Sequence, residues 1–161
     1  MTNRINKHEW FMQQAELTSK RATCCRKQVG AILVNHRGEV LSSGYNGTPR
    51  GITNCTNTEP CNTQAMDSST TSFAGCIAVH AEQNALMQCP NVHEIEACYT
   101  TLSPCLQCIK MLMNTSCDVI YFREAYHSCF DALELWQLSG KLAYIVEDGV
   151  ANLVNCWDYR Q

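Results

Sequence analysis

The residues best suited to metal binding and catalysis are one histidine, one glutamate and two cysteines in two short motifs. His80 and Glu82 lie two positions apart in His-Ala-Glu, and Cys105 and Cys108 lie three apart in Pro-Cys-Leu-Gln-Cys. One imidazole and two thiolates form a three-ligand set that suits Zn²⁺. Such a set leaves the fourth tetrahedral position for water, whose pKa bound zinc lowers from ~15.7 to about 7. The pattern therefore predicts a catalytic zinc site, with Glu82 as the proton carrier.

The order of the two motifs adds specificity to this prediction. His-x-Glu followed by Pro-Cys-x-x-Cys is the signature of zinc-dependent nucleobase deaminases. Side chains at i and i+2 of a helix start point in different directions, so Glu82 can face a substrate while His80 holds the metal. The competing interpretation is an incidental histidine near a structural or redox Cys-x-x-Cys pair. The proline and the order of the motifs favour the catalytic interpretation.

Length, charge and cysteine content limit the remaining classes. The chain has 161 residues, enough for one domain spanning residues 1–161, and its net charge of −3 gives no basic surface for nucleic acid. The twelve cysteines would suggest disulfides in a secreted chain, but the N-terminus has no apolar signal segment. No apolar run approaches the ~18 residues of a membrane span. We therefore expect a cytoplasmic protein without membrane or nucleic-acid partners.

The elements that must position these motifs alternate between strands and helices. We expect an antiparallel hairpin first, then a long polar loop over residues 46–73, and both metal-binding motifs at helix N-termini, where the helix dipole favours thiolate. The result is an α/β fold with a mixed sheet and helices on both faces. The predicted helices cover residues 8–24, 80–87, 104–113 and 130–138, and the predicted strands cover residues 29–34, 40–45, 97–101, 119–122 and 142–146.

Four segments carry a resemblance to a known family. They are Cys-Cys-Arg-Lys-Gln-Val-Gly-Ala at 24–31, Gly-Tyr-Asn-Gly-Thr-Pro at 44–49, His-Ala-Glu-Gln-Asn-Ala at 80–85 and Thr-Leu-Ser-Pro-Cys-Leu-Gln-Cys at 101–108. Over residues 18–146 the chain resembles deoxycytidylate deaminases of the cytidine deaminase superfamily. The resemblance implies a three-layer α/β/α fold with a mixed five-stranded sheet. It also implies conversion of dCMP to dUMP for thymidylate synthesis, hexamers, activation by dCTP, with which Mg²⁺ would bind, and inhibition by dTTP.

The resemblance also assigns roles to individual residues. His80, Cys105 and Cys108 would hold zinc and Glu82 would shuttle protons. Asn46 would contact the deoxyribose and Arg26 the 5′-phosphate, although an exposed arginine is often only a solvated charge. The remaining substrate contacts would be Ala81, Tyr126 as an aromatic lid, and His127, where many relatives have arginine. Contacts with a regulatory nucleotide would fall on Tyr45 and Gly47.

Four further cysteines could bind a second, structural zinc, as the resemblance implies for microbial relatives. A closed site of four thiolates would fix the long polar loop, which has little apolar surface to bury. The alternative is thiols that hold no metal, because the spacings are irregular and contain no Cys-x-x-Cys pair. The proposed ligands are Cys24, with Cys25 as its alternate, Cys55, Cys61 and Cys76.

Three functions remain open at this point. The first is a deaminase of free cytosine nucleotides, either dCMP or dCTP. The second is a deaminase of RNA or DNA bases, which would need a basic groove and stacking aromatic residues. The third is a zinc module without catalysis, for which Glu82 would have no use. The acidic composition and the shuttle glutamate favour the first.

Overall fold

The computed structural model describes residues 4–55 and 76–160. Its core is one mixed sheet with strand order β2-β1-β3-β4-β5-β6. The hairpin pair β1–β2, the pair β1–β3 and the pair β5–β6 are antiparallel, whereas β3–β4 and β4–β5 are parallel. The strands are β1 Gly30–Val34, β2 Val40–Tyr45, β3 Ala97–Leu102, β4 Val119–Glu124, β5 Leu142–Glu147 and β6 Val150–Leu153.

Helices cover both faces of this sheet, so the expected three layers are confirmed. Helix α1 (Lys7–Ser19) packs on one face, and α2 (Ala81–Gln88), α3 (Leu106–Met113) and α4 (Phe130–Leu138) pack on the other. Strand β1 is buried along its whole length, as its continuous apolar run predicts. Two short 3₁₀ helices, Val92–Glu94 and Cys156–Tyr159, complete the described elements.

Side chains alternate between the two faces along the central strands. On the α1 face, Tyr99, Tyr121 and Tyr144 stack in a row across β3, β4 and β5, and the first two pack with Phe11 and Met12. The opposite face carries the larger cluster, in which all of the following side chains are fully buried: Ile109, Leu112, Ile120, Phe122, Leu133 and Trp136. The sheet therefore separates two apolar cores.

The sheet has six strands, so the expectation of five was wrong. Strand β6 pairs with β5 through a tight turn at Asp148 and Gly149, which have φ angles of 49° and 79°. Asp-Gly between two strand-forming segments is a strong signal for a hairpin of this kind, because both central positions need positive φ. This local signal follows the last strand that the sequence analysis predicted, at residues 142–146.

Helix α1 ends at Ser19, not at residue 24 as the sequence analysis expected. Hydroxyl groups in its last turn bond to the preceding turn, from Thr18 Oγ1 to Gln14 O and from Ser19 Oγ to Glu16 O. The chain then leaves the helical path, and the Thr23 N–H bonds to Asn46 O at 3.1 Å. The residues after Ser19 therefore belong to the connection between α1 and β1, which contacts the start of the long loop at Asn46.

Two glycines let helices approach the hairpin closely from opposite faces. A Cβ atom at Gly30 would lie 2.1 Å from Ala15 O of α1, and one at Gly44 would lie 2.2 Å from Ala81 O of α2. No larger residue fits at either contact while the helices stay where they are. Within the described ranges, no helix combines the length and apolar character that crossing a membrane requires.

Candidate active site

The two motifs singled out in the sequence meet at the N-termini of α2 and α3. His80 precedes the first residue of α2, and its backbone N–H donates to Gln83 Oε1 at 2.9 Å. Cys105 precedes the first residue of α3, and Cys108 lies within the first turn of that helix, fully buried. Helix α3 follows β3 in the chain, and Glu82 in the first turn of α2 contacts Thr100 near the carboxyl end of β3. The two motifs therefore meet at this end of the strand.

The three side chains form a set of atoms that fits one zinc ion. His80 Nδ1 lies 3.3 Å from Cys105 Sγ and 3.5 Å from Cys108 Sγ, and the two sulfurs are 3.6 Å apart. A tetrahedral zinc with Zn–S near 2.3 Å and Zn–N near 2.0 Å requires S···N of about 3.5 Å and S···S of about 3.8 Å. Among the described residues, this is the one group of three or more such ligands within 4.8 Å of one another.

The two thiols at this site have opposite pKa shifts. Their mutual hydrogen bond is the main reason why the pKa of Cys105 is lowered to about 4, and His80 contributes in the same direction. The same hydrogen bond, together with burial, raises the pKa of Cys108. The bond with Cys105 raises the pKa of His80. A divalent cation would displace these protons, because metal ligands bind as thiolate and neutral imidazole.

Glu82 is a buried carboxylate beside the three ligands. Only 3% of its surface is exposed. Its Oε2 lies 3.5 Å from Cys108 Sγ, and its Oε1 lies 3.5 Å from the Thr100 hydroxyl. Burial raises the pKa of Glu82 above its usual value. A raised carboxyl pKa suits a group that must both accept and donate protons near neutral pH.

Sequence reasoning missed two buried hydroxyl residues of this site. Thr100 is fully buried and contacts Glu82 from β3. The Ser103 hydroxyl accepts the Tyr126 N–H at 2.7 Å, and the Ser103 N–H donates to Glu124 O at 2.8 Å. Ser103 therefore joins the segment that carries Cys105 to the segment that follows β4. Polar residues at inward positions of a buried strand end are the signal that could have found them.

Asn46 lies at a junction of three segments. Its Oδ1 accepts the Val29 N–H and its Nδ2 donates to Lys27 O, both at 2.8 Å. The next residue, Gly47, pairs its backbone with Val79, which directly precedes the metal ligand His80. A carboxamide retains one further N–H and one lone pair after these bonds. The predicted deoxyribose contact of Asn46 stays a prediction.

The other predicted substrate residues differ in burial. Ala81 is fully buried. Tyr126 is half-buried against the larger core, and the ring of exposed His127 lies 4.2 Å from its ring. Arg26 is exposed. Their roles, and the regulatory role of Tyr45 and Gly47, stay predictions.

The second predicted metal site is not formed by the described residues. Cys24, Cys55 and Cys76 are not among the side chains that come together as a ligand set within residues 4–55 and 76–160. The fourth predicted ligand, Cys61, lies outside the described residues. The structural zinc therefore stays a prediction from the sequence.

A three-layer α/β/α fold with a His/Cys/Cys site and an adjacent buried carboxylate is typical of a zinc-dependent hydrolytic deaminase. Comparison with known families agrees. The family described as "Cytidine and deoxycytidylate deaminase zinc-binding region" matches residues 5–124. The chain belongs to this family of zinc-binding deaminases.

Individual relatives carry names from the same family. The deoxycytidylate deaminase of Mycobacterium phage D29 is 34% identical over 122 residues, which cover 73% of this chain and 94% of that protein. The deoxycytidylate deaminase of Schizosaccharomyces pombe is 32% identical over 81% of this chain, but the chain spans only 41% of its length. A crystal structure of cyanophage S-TIM5 dCMP deaminase with dCMP and dUMP matches with a TM-score of 0.69 at 32% identity, covering 86% of this chain and 95% of that one.

Proposed function

We propose that this protein is a deoxycytidylate deaminase that hydrolyses dCMP to dUMP and ammonia. The observation that carries the proposal is the Glu82 carboxylate, which is buried 3.5 Å from Cys108 Sγ, beside three ligands with zinc spacing. The family membership and the dCMP and dUMP complex of the cyanophage relative support the substrate. A site that served structure alone would have no use for a buried carboxylate beside the ligands.

His80, Cys105 and Cys108 would hold the zinc ion. Bound zinc supplies a hydroxide nucleophile at neutral pH by lowering the pKa of water from ~15.7 to about 7. Thr100 orients the Glu82 carboxylate through Oε1, which leaves Oε2 toward the metal ligands. The helix N-termini at His80 and Cys105 stabilise negative charge on the ligands.

Glu82 would move two protons during the reaction. Its Oε2 accepts a proton from the attacking water and delivers it to N3 of the ring as the new C4–O bond forms. It then carries the second proton of that water to the 4-amino group. The C4–N bond breaks and ammonia leaves, so that the ring becomes uracil. The raised pKa of Glu82 supports both transfers.

The substrate would be recognised by residues near the candidate zinc site. In this proposal Asn46 contacts the deoxyribose, Arg26 and His127 face the phosphate, and Tyr126 covers the base, with Ala81 in contact with it. The bonds from Asn46 to the backbone of residues 27 and 29 support a fixed position for Arg26, which lies beside them in the chain.

A substrate panel tests the reaction. The zinc-loaded protein is incubated with dCMP, dCTP, deoxycytidine and a cytosine-containing oligonucleotide, and the loss of cytosine absorbance is followed. We expect the highest kcat/KM with dCMP. Preference for dCTP would mean a different cytosine nucleotide as substrate, and preference for the oligonucleotide would mean a nucleic-acid deaminase. No turnover of any substrate would contradict enzymatic function.

Regulation and assembly follow from the resemblance alone. We propose activation by dCTP with Mg²⁺, inhibition by dTTP, and a homo-hexamer. The backbone pairing of Gly47 with Val79 offers a direct route from Tyr45 and Gly47 to the ligand His80. Initial rates with each nucleotide, with and without Mg²⁺, test the regulation, and light scattering on the eluted protein measures the mass of the assembly.

A second zinc is a separate proposal, with Cys24, Cys55, Cys61 and Cys76 as ligands. The polarity of the long loop supports it, because a loop with little apolar surface gains order from a metal. Metal analysis of the purified protein tests it. About two zinc ions per chain support the second site, and about one contradicts it.

A further inference from the structure

The carboxyl edge of β4 carries a charged pair on the same face as the candidate active site. Ile120 and Phe122 of β4 point into the core beneath α2 and α3, and Glu124 is the next residue of that alternation. Glu124 is also paired in register with Leu102, two residues beyond the Thr100 that contacts Glu82. The Glu124 carboxylate therefore lies at the rim of the candidate site, on the sheet face that α2 and α3 cover.

Lys27 supplies the counter-charge from the segment before β1. Its Nζ lies 2.5 Å from Glu124 Oε2. The backbone of Lys27 is fixed, because its carbonyl accepts the Asn46 Nδ2 bond at 2.8 Å. Its side chain is 53% exposed and that of Glu124 is 60% exposed. The backbone of Lys27 is thus held near the site, while its side chain, with the ammonium group, stays accessible to solvent.

The exposed Lys27–Glu124 pair differs from the ion pairs of Arg123, the residue that precedes Glu124 on β4. Arg123 points to the α1 face, where it binds Glu9, Glu16 and the Val146 carbonyl and is only 22% exposed. All three of its nitrogens, Nε, Nη1 and Nη2, donate hydrogen bonds on that face. Exposed lysine–carboxylate pairs contribute little to stability, so the Lys27–Glu124 contact can be exchanged for a better anion.

A nucleotide phosphate is such an anion. It carries more negative charge than one carboxylate and offers several acceptor oxygens to an ammonium group. An unpaired Glu124 carboxylate at the rim would repel the same phosphate. We propose that Lys27 is a specificity-determining residue that exchanges Glu124 for the 5′-phosphate of the nucleotide. This inference rests on the proposed function, since it concerns how that site distinguishes nucleotides from nucleosides.

Binding of the product and its nucleoside measures this selectivity without requiring turnover. The dissociation constants of dUMP and deoxyuridine are determined by calorimetry for the wild-type protein, Lys27→Met and Glu124→Gln. We expect Lys27→Met to weaken dUMP binding about tenfold, the loss of one charge-assisted bond, and to leave deoxyuridine unchanged. Glu124→Gln should tighten dUMP binding about threefold, because Lys27 no longer has a competing partner. In kinetics, Lys27→Met should raise KM for dCMP with kcat within about twofold.

Two matched variants control for net charge. Lys110→Met removes one exposed lysine from the last turn of α3. Asp118→Asn removes a carboxylate that is 67% exposed and pairs with Lys141 at the opposite end of β4. Neither should change the ratio of the two dissociation constants.

Several outcomes would overturn the inference. They are an unchanged ratio in Lys27→Met, an equal change in Lys110→Met, or a wild-type protein that binds dUMP no better than deoxyuridine. A wild-type protein that binds dUMP through Lys27 but does not deaminate dCMP would instead contradict the proposed reaction and leave the phosphate contact in place.

Discussion

The two faces of the central sheet use the same strands for different purposes. On the α1 face, Tyr99 and Tyr121 stack with centroids 4.5 Å apart, and Tyr144 continues the row at 5.2 Å. On the other face, the corresponding strand ends carry Thr100 and the segment that leads to Cys105. Stacked rings stabilise a fold, whereas a buried carboxylate such as Glu82 costs stability. The α1 face therefore contributes packing, whereas the site face combines the larger apolar cluster with a buried carboxylate whose charged form is costly.

Removal of the metal should have the largest effect and should act on the site face alone. After dialysis against a chelator we expect deamination to fall to background and Tm to decrease, because α2 and α3 lose the ion that links their N-termini. Addition of Zn²⁺ should restore both. Turnover by protein with no measurable metal would contradict the zinc assignment.

Replacement of the shuttle carboxylate should remove catalysis without harming the fold. We expect Glu82→Gln to lower kcat about 10³-fold, within the range for loss of an acid–base group. Its Tm should stay constant or rise, because burial already disfavours the charged carboxylate, as its raised pKa indicates. Zinc content should not change. A large decrease in Tm would mean that the variant lost activity by unfolding.

A cavity on the α1 face should produce the opposite result. Phe11 is fully buried against Tyr99, with ring centroids 4.9 Å apart. We expect Phe11→Ala to lower the free energy of unfolding by about 3–5 kcal/mol. Zinc content and kcat per folded molecule should remain at the wild-type value. If this variant lost zinc while still folded, the two faces would not be independent.

The smallest effect should come from one hydroxyl on the same face. Tyr99 OH and His8 Nδ1 share a hydrogen bond of 3.0 Å. We expect Tyr99→Phe to lower the free energy of unfolding by about 1 kcal/mol, the net value of one such bond. Denaturant unfolding measures it, and KM for dCMP should not change. A variant as stable as the wild type would mean that the ring, and not its hydroxyl, contributes the stability.

Much of the fold and the metal set could be predicted because each rests on local patterns. The apolar run of β1 predicts a buried strand, and the motif around Cys105 predicts a helix start; both were confirmed. The end of α1 could not be predicted from periodicity, because the bond from Thr23 to Asn46 that redirects the chain joins residues far apart in sequence.

The site residues that the sequence analysis did not identify also depend on contacts between distant parts of the chain. Thr100 lies outside the quoted motifs and Ser103 was given no role within one, and the importance of both comes from the neighbours that the folded strands bring to them. The contact between Lys27 and Glu124 joins residues 97 positions apart. Such pairs depend on strand order and register, which single-sequence patterns do not specify. The overlooked β6 is a different case, since its Asp-Gly turn is a local signal.

The two glycines that receive α1 and α2 have a consequence for variation in this chain. A single methyl group at position 44 would collide with the backbone at Ala81, which lies between the histidine ligand and the shuttle glutamate. Relief of that collision would move both residues together, away from sulfurs that belong to another helix. One added methyl group at position 44 would thus displace His80 and Glu82, whereas the same addition at position 30 would displace α1, which carries no residue of the candidate site.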